Sequence, residues 1–380
     1  MAEKKTAKVS QPHSHAQIAK LPIITPDMSA EERRKLCVDF FMMQNSFLWT
    51  PKTNFDHRTN PDAEIPKKLR TGKIYGGLCY TACSNGNAYR ILDYYDEETG
   101  VLDIETAHNK ERWQVGCQCS AGVHWAWARA QCTARFRGCL DMVEKKGCHK
   151  VGPYQYDPEL DCYTAEYGTP AICAENGEQV MYESYAQLQP GDGLVYYTSA
   201  GHVIMARAKP WVDRDDDGKI NGKRSHLIYL DQSQIWKYSM TPAGEVFSHM
   251  PNFQKSISFK ELFEETYLPI TLDIFNEDFK PEVPWMKVNL TGEAVSEEDL
   301  KEAVVTSNYV LSDVYVILRD ESGKECYRGI SRAEDLFFFE LPVEKAVDEA
   351  EMAKHAGKTV EVLCQSGSGL REVIYKGILK

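Results

Sequence analysis

Apolar positions recur along the chain with two different periods. In residues 29–48, Leu36, Phe40, Met43 and Phe47 share one helical face. Ser29 and Glu32 stand ahead of it as the two halves of a capping box, and Thr50-Pro51 closes it. Residues 51–75, rich in Pro, Asn and Asp, read as loop, and Tyr75-Gly76-Gly77 opens a turn-rich stretch. A second helix is expected over residues 85–95. The clearest helix runs from Cys119 to about residue 135, with Val123, Ala126, Trp127, Ala130 and Ala134 on one face. Cys119 then falls in its first turn or at its cap. His124 and Trp125 project off that face, where ordinary packing is the expected role.

Residues 137–180 read as loop, and beyond them the period shortens. Leu188-Gln189-Pro190-Gly191-Asp192 is a turn, and residues 194–197 are an apolar strand. Residues 198–201 connect it to a return strand, 202–206, and a polar loop, 213–224, leads to a third strand, 227–230. Helices followed by a small antiparallel sheet predict an α+β architecture. From about residue 268 strand-like runs recur, at 286–290, 313–318, 336–341, 360–363 and 371–378, with one helical insert over 343–355. Those runs predict an all-β sandwich with immunoglobulin-like spacing. The expected organisation is a disordered polar tail (1–25), a first domain (26–267) and the sandwich (268–380).

A length of 380 residues accommodates two domains, and 43% apolar residues suffice for their cores. No run approaches the ~20 apolar residues of a membrane span. The longest, residues 40–49, is interrupted by Gln44, Asn45 and Ser46. A net charge of −12 makes the chain a poor candidate for nucleic acid, whose phosphates require a basic face. Residues 1–20 are polar and basic with no signal-peptide core. The 12 cysteines include no CxxC, and Cys117/Cys119 and Cys148-His149 have the wrong spacing for zinc, so no metal or cofactor is called for. Residues 213–220 match the opening of an EF-hand loop. The twelfth position is Arg224 where a bidentate Glu is needed, and an Asp-Gly hairpin turn is the expected structure.

The chemistry concentrates in two motifs, Cys119-Ser120-Ala121-Gly122 and Gly201-His202-Val203. A thiol attacks a carbonyl as thiolate, and a helix N-terminus lowers its pKa. Taken singly, Cys119 reads first as a buried structural cysteine and His202 as a satisfied strand histidine. Taken in order, the motifs resemble the NlpC-type cell-wall peptidases. The matching residues are Tyr75-Gly76-Gly77, Cys119-Ser120-Ala121-Gly122, Leu188-Gln189-Pro190-Gly191-Asp192, residues 194–197 and Gly201-His202-Val203, and the resemblance covers roughly 75–232, under half the chain.

The resemblance implies a papain-like fold, with Cys119 as nucleophile and His202 as general base. The strand end supplies the third polar residue, Asp231 first and Gln232 close behind. His226 stands at the start of the same strand. Tyr75 or Tyr80 would contact substrate, together with Ser120. The implied substrate is a peptide stem of bacterial peptidoglycan, with an extracellular or cell-wall location and the cytoplasm left open. Gln118, Ala121 and the long segment between Gly77 and Cys119 depart from the family pattern. The alternatives are a wall-binding protein on a degenerate papain-like domain, and amidase or acyltransferase chemistry on the same fold.

Overall fold

Ser29 starts the first helix, Ala30–Ser46, by accepting the Glu32 N–H, while the Glu32 carboxylate accepts the Ser29 N–H at 2.8 Å. A computed structural model describes residues 21–56, 68–80, 88–111, 116–134, 136, 138–142, 147–156, 168–198, 200–233, 237–241, 244–248, 255–333 and 338–380. The expected tail lies almost wholly outside the described residues. The chain divides into two compact units, one running from Ser29 to Phe279 with an excursion after Trp127, the other built mainly on Lys280–Lys380.

Two six-stranded sheets organise the first unit. One was not expected. Leu48–Pro51 pairs antiparallel with Ile74–Gly76 and parallel with Val101–Leu102, and Gly244–Ser248 adds to it in parallel. Its strands are two to five residues long, too short for alternation to show, so residues 51–75 had read as loop. The helix expected over 85–95 is Ala88–Leu92, followed by the strand Tyr95–Asp96.

The other sheet is antiparallel throughout. Its order is Lys255–Ser258, His226–Leu230, Gly201–Ala206, Gly193–Tyr197, Leu268–Leu272 and Cys148–Lys150. The three strands expected at its centre are present. Leu268–Leu272 belongs to this sheet, so the first unit extends to Phe279 rather than stopping at residue 267.

The helix at Cys119 is shorter than its periodicity suggests. It spans Cys119–Ala128, and Gln131 takes a left-handed φ of 64° three residues on. It is buried all round, His124 and Trp125 included. A 17-residue helix, Thr169–Tyr185, occupies part of the expected loop 137–180. Gly177, at φ 76°, breaks it in a polar stretch, so no continuous apolar stripe announced it.

The second unit has a three-stranded and a five-stranded sheet, and both contribute to one apolar core that includes Met286, Val305, Val316, Leu341 and Val362. Its strands include Met286–Val288, Leu311–Arg319, Thr359–Ser366 and Arg371–Leu379, close to those expected. Val304–Ser307 and Glu325–Arg332 were missed. The helical insert divides into the short turns Glu344–Ala346, Glu349–Met352 and Ala353–His355.

The Pro190-Gly191-Asp192 turn anchors the first unit. Arg34 Nη1 donates to Asp192 Oδ1 at 2.7 Å and to the Pro190 carbonyl at 3.0 Å. The Asp192 side chain is only 2% exposed. Arg34→Met strips this carboxylate of its cation and should cost about 3 kcal/mol, measured by urea denaturation. A loss below about 0.5 kcal/mol, the range of surface pairs, would show the anchor to be dispensable.

Candidate active site

Packing of the cysteine helix against the sheet brings Cys119 to His202. Trp127 Nε1 donates to the Gly191 carbonyl at 2.9 Å. Its ring occupies the space above Gly193, where a Cβ would approach it to 3.1 Å. From Trp127 back to Cys119 the helix covers about 12 Å. From Gly193 to Tyr196 the strand covers about 10 Å, and Tyr196 pairs directly with His202. The helix therefore runs along the strand pair and sets its first turn at His202.

The Gln118 carbonyl accepts the Gly122 N–H at 3.0 Å, which makes Cys119 the first helical residue. The N–H groups of that turn have no intrahelical carbonyl to bond and point toward the sulfur end of the site. Gly122 admits the first helix: a Cβ there would meet Phe41 at 3.1 Å, and Gln44 Nε2 donates to the Gly122 carbonyl at 3.0 Å.

Polar groups continue outward from the sulfur in a row. Cys139 Sγ lies 3.9 Å from Cys119 Sγ. The Val203 N–H and the His202 ring also favour the Cys119 thiolate. His202 Nε2 bonds Asp231 Oδ1 at 2.8 Å, so Nδ1 is the nitrogen that faces the thiol. Lys255 Nζ grips Asp231 Oδ2 and donates to Ser233 Oγ at 3.1 Å.

These contacts separate the charges. The hydrogen bond from Cys139 and then the His202 hydrogen bond and charge pull Cys119 well below the usual thiol range, against the opposing effect of burial. Cys139 keeps its proton, pushed well up by that same hydrogen bond, by burial and by the Cys119 charge. Burial alone would lower His202, but Asp231 and Cys119 outweigh it and raise the imidazole to about 10. Burial would raise Asp231, and His202 with Lys255 instead hold it well below the carboxylate range. Near neutral pH the site is a thiolate beside an imidazolium, backed by a carboxylate that is ion-paired with Lys255.

Of the residues singled out in the sequence, Cys119, His202 and Asp231 come together. Gln232 does not join them. Its Nε2 donates to the Leu78, Cys79 and Cys117 carbonyls at 3.2 Å each, tying the segment before the nucleophile to the sheet. Tyr75 is corrected as a substrate contact: it is buried in the other sheet, stacked on Trp49 at 4.9 Å, with its hydroxyl accepting the Arg70 N–H. Tyr80 bridges by its backbone to Cys117, two residues from the nucleophile. Ser120 is buried at the second helical position. His226 is exposed and bridges by its backbone to Trp211, away from the row.

Three neighbours had escaped notice as site residues: Cys139, Lys255 and Tyr196. Tyr196 was legible, since a hairpin turning at 198–200 pairs it with His202 on one face. Lys255 depends on a strand pairing, Lys255 opposite Tyr229, that nothing local signals. The 213–220 loop is the expected hairpin. Asp215 Oδ1 accepts the Asp217 and Lys219 N–H groups, and Arg224 pairs with Asp213 at 2.8 Å. Among the described residues no group of three or more His, Cys, Asp and Glu could hold a metal ion.

No protein-family model matches the chain, and searches of curated proteins and of solved structures find none similar to it.

The charge arrangement has a pH signature. Cys119, with its pKa depressed, stays ionised until pH falls through that lowered value. His202, with its pKa raised, keeps its proton until pH rises through about 10. Alkylation of Cys119 by iodoacetamide should therefore outpace that of the other cysteines at about pH 7, where an ordinary thiol is under about 5% ionised. In Asp231→Asn the upper limb should move toward neutrality. A Cys119 rate that climbs through pH 8 to 9 alongside the other thiols would contradict the ion pair.

Proposed function

We propose that this chain is a cysteine hydrolase of the NlpC kind, a peptidase or amidohydrolase that cuts an amide bond in peptide stems of bacterial peptidoglycan. The observation that carries the chemistry is the row from Cys119 through His202 to Asp231, with His202 Nε2 2.8 Å from the carboxylate. The ordered motifs from Tyr75 to Gln232 support the substrate class. In this proposal the first unit is papain-like, the second an immunoglobulin-like sandwich, and the protein works outside the cell or at its wall.

The reaction is acyl transfer in two steps. The Cys119 thiolate attacks the amide carbonyl carbon. Charge develops on the carbonyl oxygen beside the first turn of the helix, where the Cys119 N–H is a donor. The His202 imidazolium protonates the leaving amine, and the C–N bond breaks. The neutral imidazole then takes a proton from water, which attacks the thioester and releases the acid. Asp231 holds the ring by Nε2 and stabilises its charged form. Lys255 is a positioning residue, because it acts through Asp231 and not on substrate. Tyr196 flanks the histidine, its ring 6.3 Å from the imidazole, and with Tyr80 replaces Tyr75 as the aromatic contact for substrate.

Digestion of purified muropeptides, followed by mass spectrometry, tests this. Wild type should release new peptide ends, and Cys119→Ala should lose at least ~1000-fold in kcat with an unchanged circular dichroism spectrum. Undiminished hydrolysis by Cys119→Ala would overturn the assignment. Binding of muropeptides without cleavage by wild type would make the protein a wall-binding module instead.

A further inference from the structure

The sulfur of Cys139 lies 3.9 Å from that of Cys119, and no bond-making or bond-breaking step of acyl transfer passes through a second thiol. Its position is built in. Cys139 begins a short 3-10 turn, Cys139–Met142, packed on the hairpin that carries His202. A Cβ at Gly201 would lie 2.7 Å from the Cys139 Cβ, so only a glycine before His202 lets Cys139 seat against this strand. The Gly of the Gly-His-Val motif thus makes room for the second thiol. Cys117, the nearest alternative in sequence, is fully buried and donates to the Gln118 carbonyl at 3.3 Å.

We infer that Cys119 and Cys139 are a peroxide-sensitive pair that closes to an intramolecular disulfide and reversibly removes the nucleophile. The sulfurs must approach from 3.9 Å to the ~2.05 Å of an S–S bond. Hydrogen peroxide, little larger than water, is the oxidant suited to a cysteine that is 4% exposed. The Cys119 thiolate attacks one peroxide oxygen, the O–O bond breaks, and the departing hydroxide takes the His202 proton and leaves as water. Cys119 is then a sulfenic acid. Loss of its negative charge removes one of the influences that kept Cys139 protonated, and the now neutral His202 can accept the Cys139 proton. The Cys139 thiolate attacks the sulfenic sulfur, and a second hydroxide leaves, protonated to water. One peroxide and two thiols give one disulfide and two waters. Without a resolving thiol, the sulfenic acid proceeds to the irreversible sulfinic acid.

The pair needs a reactive thiolate but no peptide cleavage; only its consequence for hydrolysis rests on the function proposed above. The test therefore reads thiols. The full chain is treated with hydrogen peroxide, alkylated with iodoacetamide and mapped by mass spectrometry without reduction. The expected result is a cross-linked peptide joining Cys119 to Cys139, with Cys119 labelling lost and then restored by dithiothreitol. In Cys139→Ser, peroxide should leave Cys119 as sulfinic acid, and dithiothreitol should restore less than a tenth of the labelling. A Cys119–Cys117 link in wild type, an oxidised Cys119 with no link to Cys139, or unchanged labelling would each overturn the inference. The wild-type map decides the matter even if Cys139→Ser fails to fold. Loss of hydrolysis without the disulfide would count against the pair alone, and the disulfide without any hydrolysis would count against the peptidase alone.

Discussion

The buried carboxylate of Asp231 is the constraint on which the site depends. Each isolated charge taken out of water costs several kcal/mol, and pairing offsets this only with good geometry and every polar atom satisfied. Asp231 meets the condition from two sides, His202 on one oxygen and Lys255 on the other. Its charge keeps the imidazole protonated, and the imidazolium in turn favours the Cys119 thiolate. The charges alternate along the row, so Asp231 and His202 each have an opposite charge on both sides.

A row of side chains has this character only if the backbone holds it to within fractions of an ångström, and the first unit is built to do so. The cysteine helix is clamped along its length. Trp127 fixes one end against Gly191 and Gly193, Gln44 and Phe41 hold the middle at Gly122, and Gln232 ties the preceding segment at Cys117 to the strand end beside Asp231. Gln232 and Asp231 are adjacent in sequence but make different contacts: one ties down the segment at Cys117, the other bonds the His202 ring. Both follow from the strand His226–Leu230 ending between the histidine strand and Lys255–Ser258.

Much of this was visible in the chain. The capping box at Ser29 and Glu32, the start of a helix at Cys119 and the hairpin around residues 198–200 are local features, set by spacings of two to four residues. Helix Thr169–Tyr185 was not visible, because Gly177 splits its apolar face in a polar stretch. The first sheet was not visible either, since strands as short as Val101–Leu102 carry no period. Tyr75 reads as the opening of a turn-rich stretch, yet it is an interior strand residue stacked on Trp49.

By itself the sequence singled out Cys119 and His202 as a pair and narrowed the third member to two neighbours on one strand end. It could do so because a helix start and a hairpin are local, and because strand alternation limits which side chains share a face. Only the tertiary structure chose Asp231 over Gln232, added Lys255 behind it and brought Cys139 within 3.9 Å of the nucleophile. Those outcomes depend on which strands pair, in what register, and how closely a loop seats on a glycine. Such contacts join residues 20 or more positions apart, and no pattern within a single element encodes them.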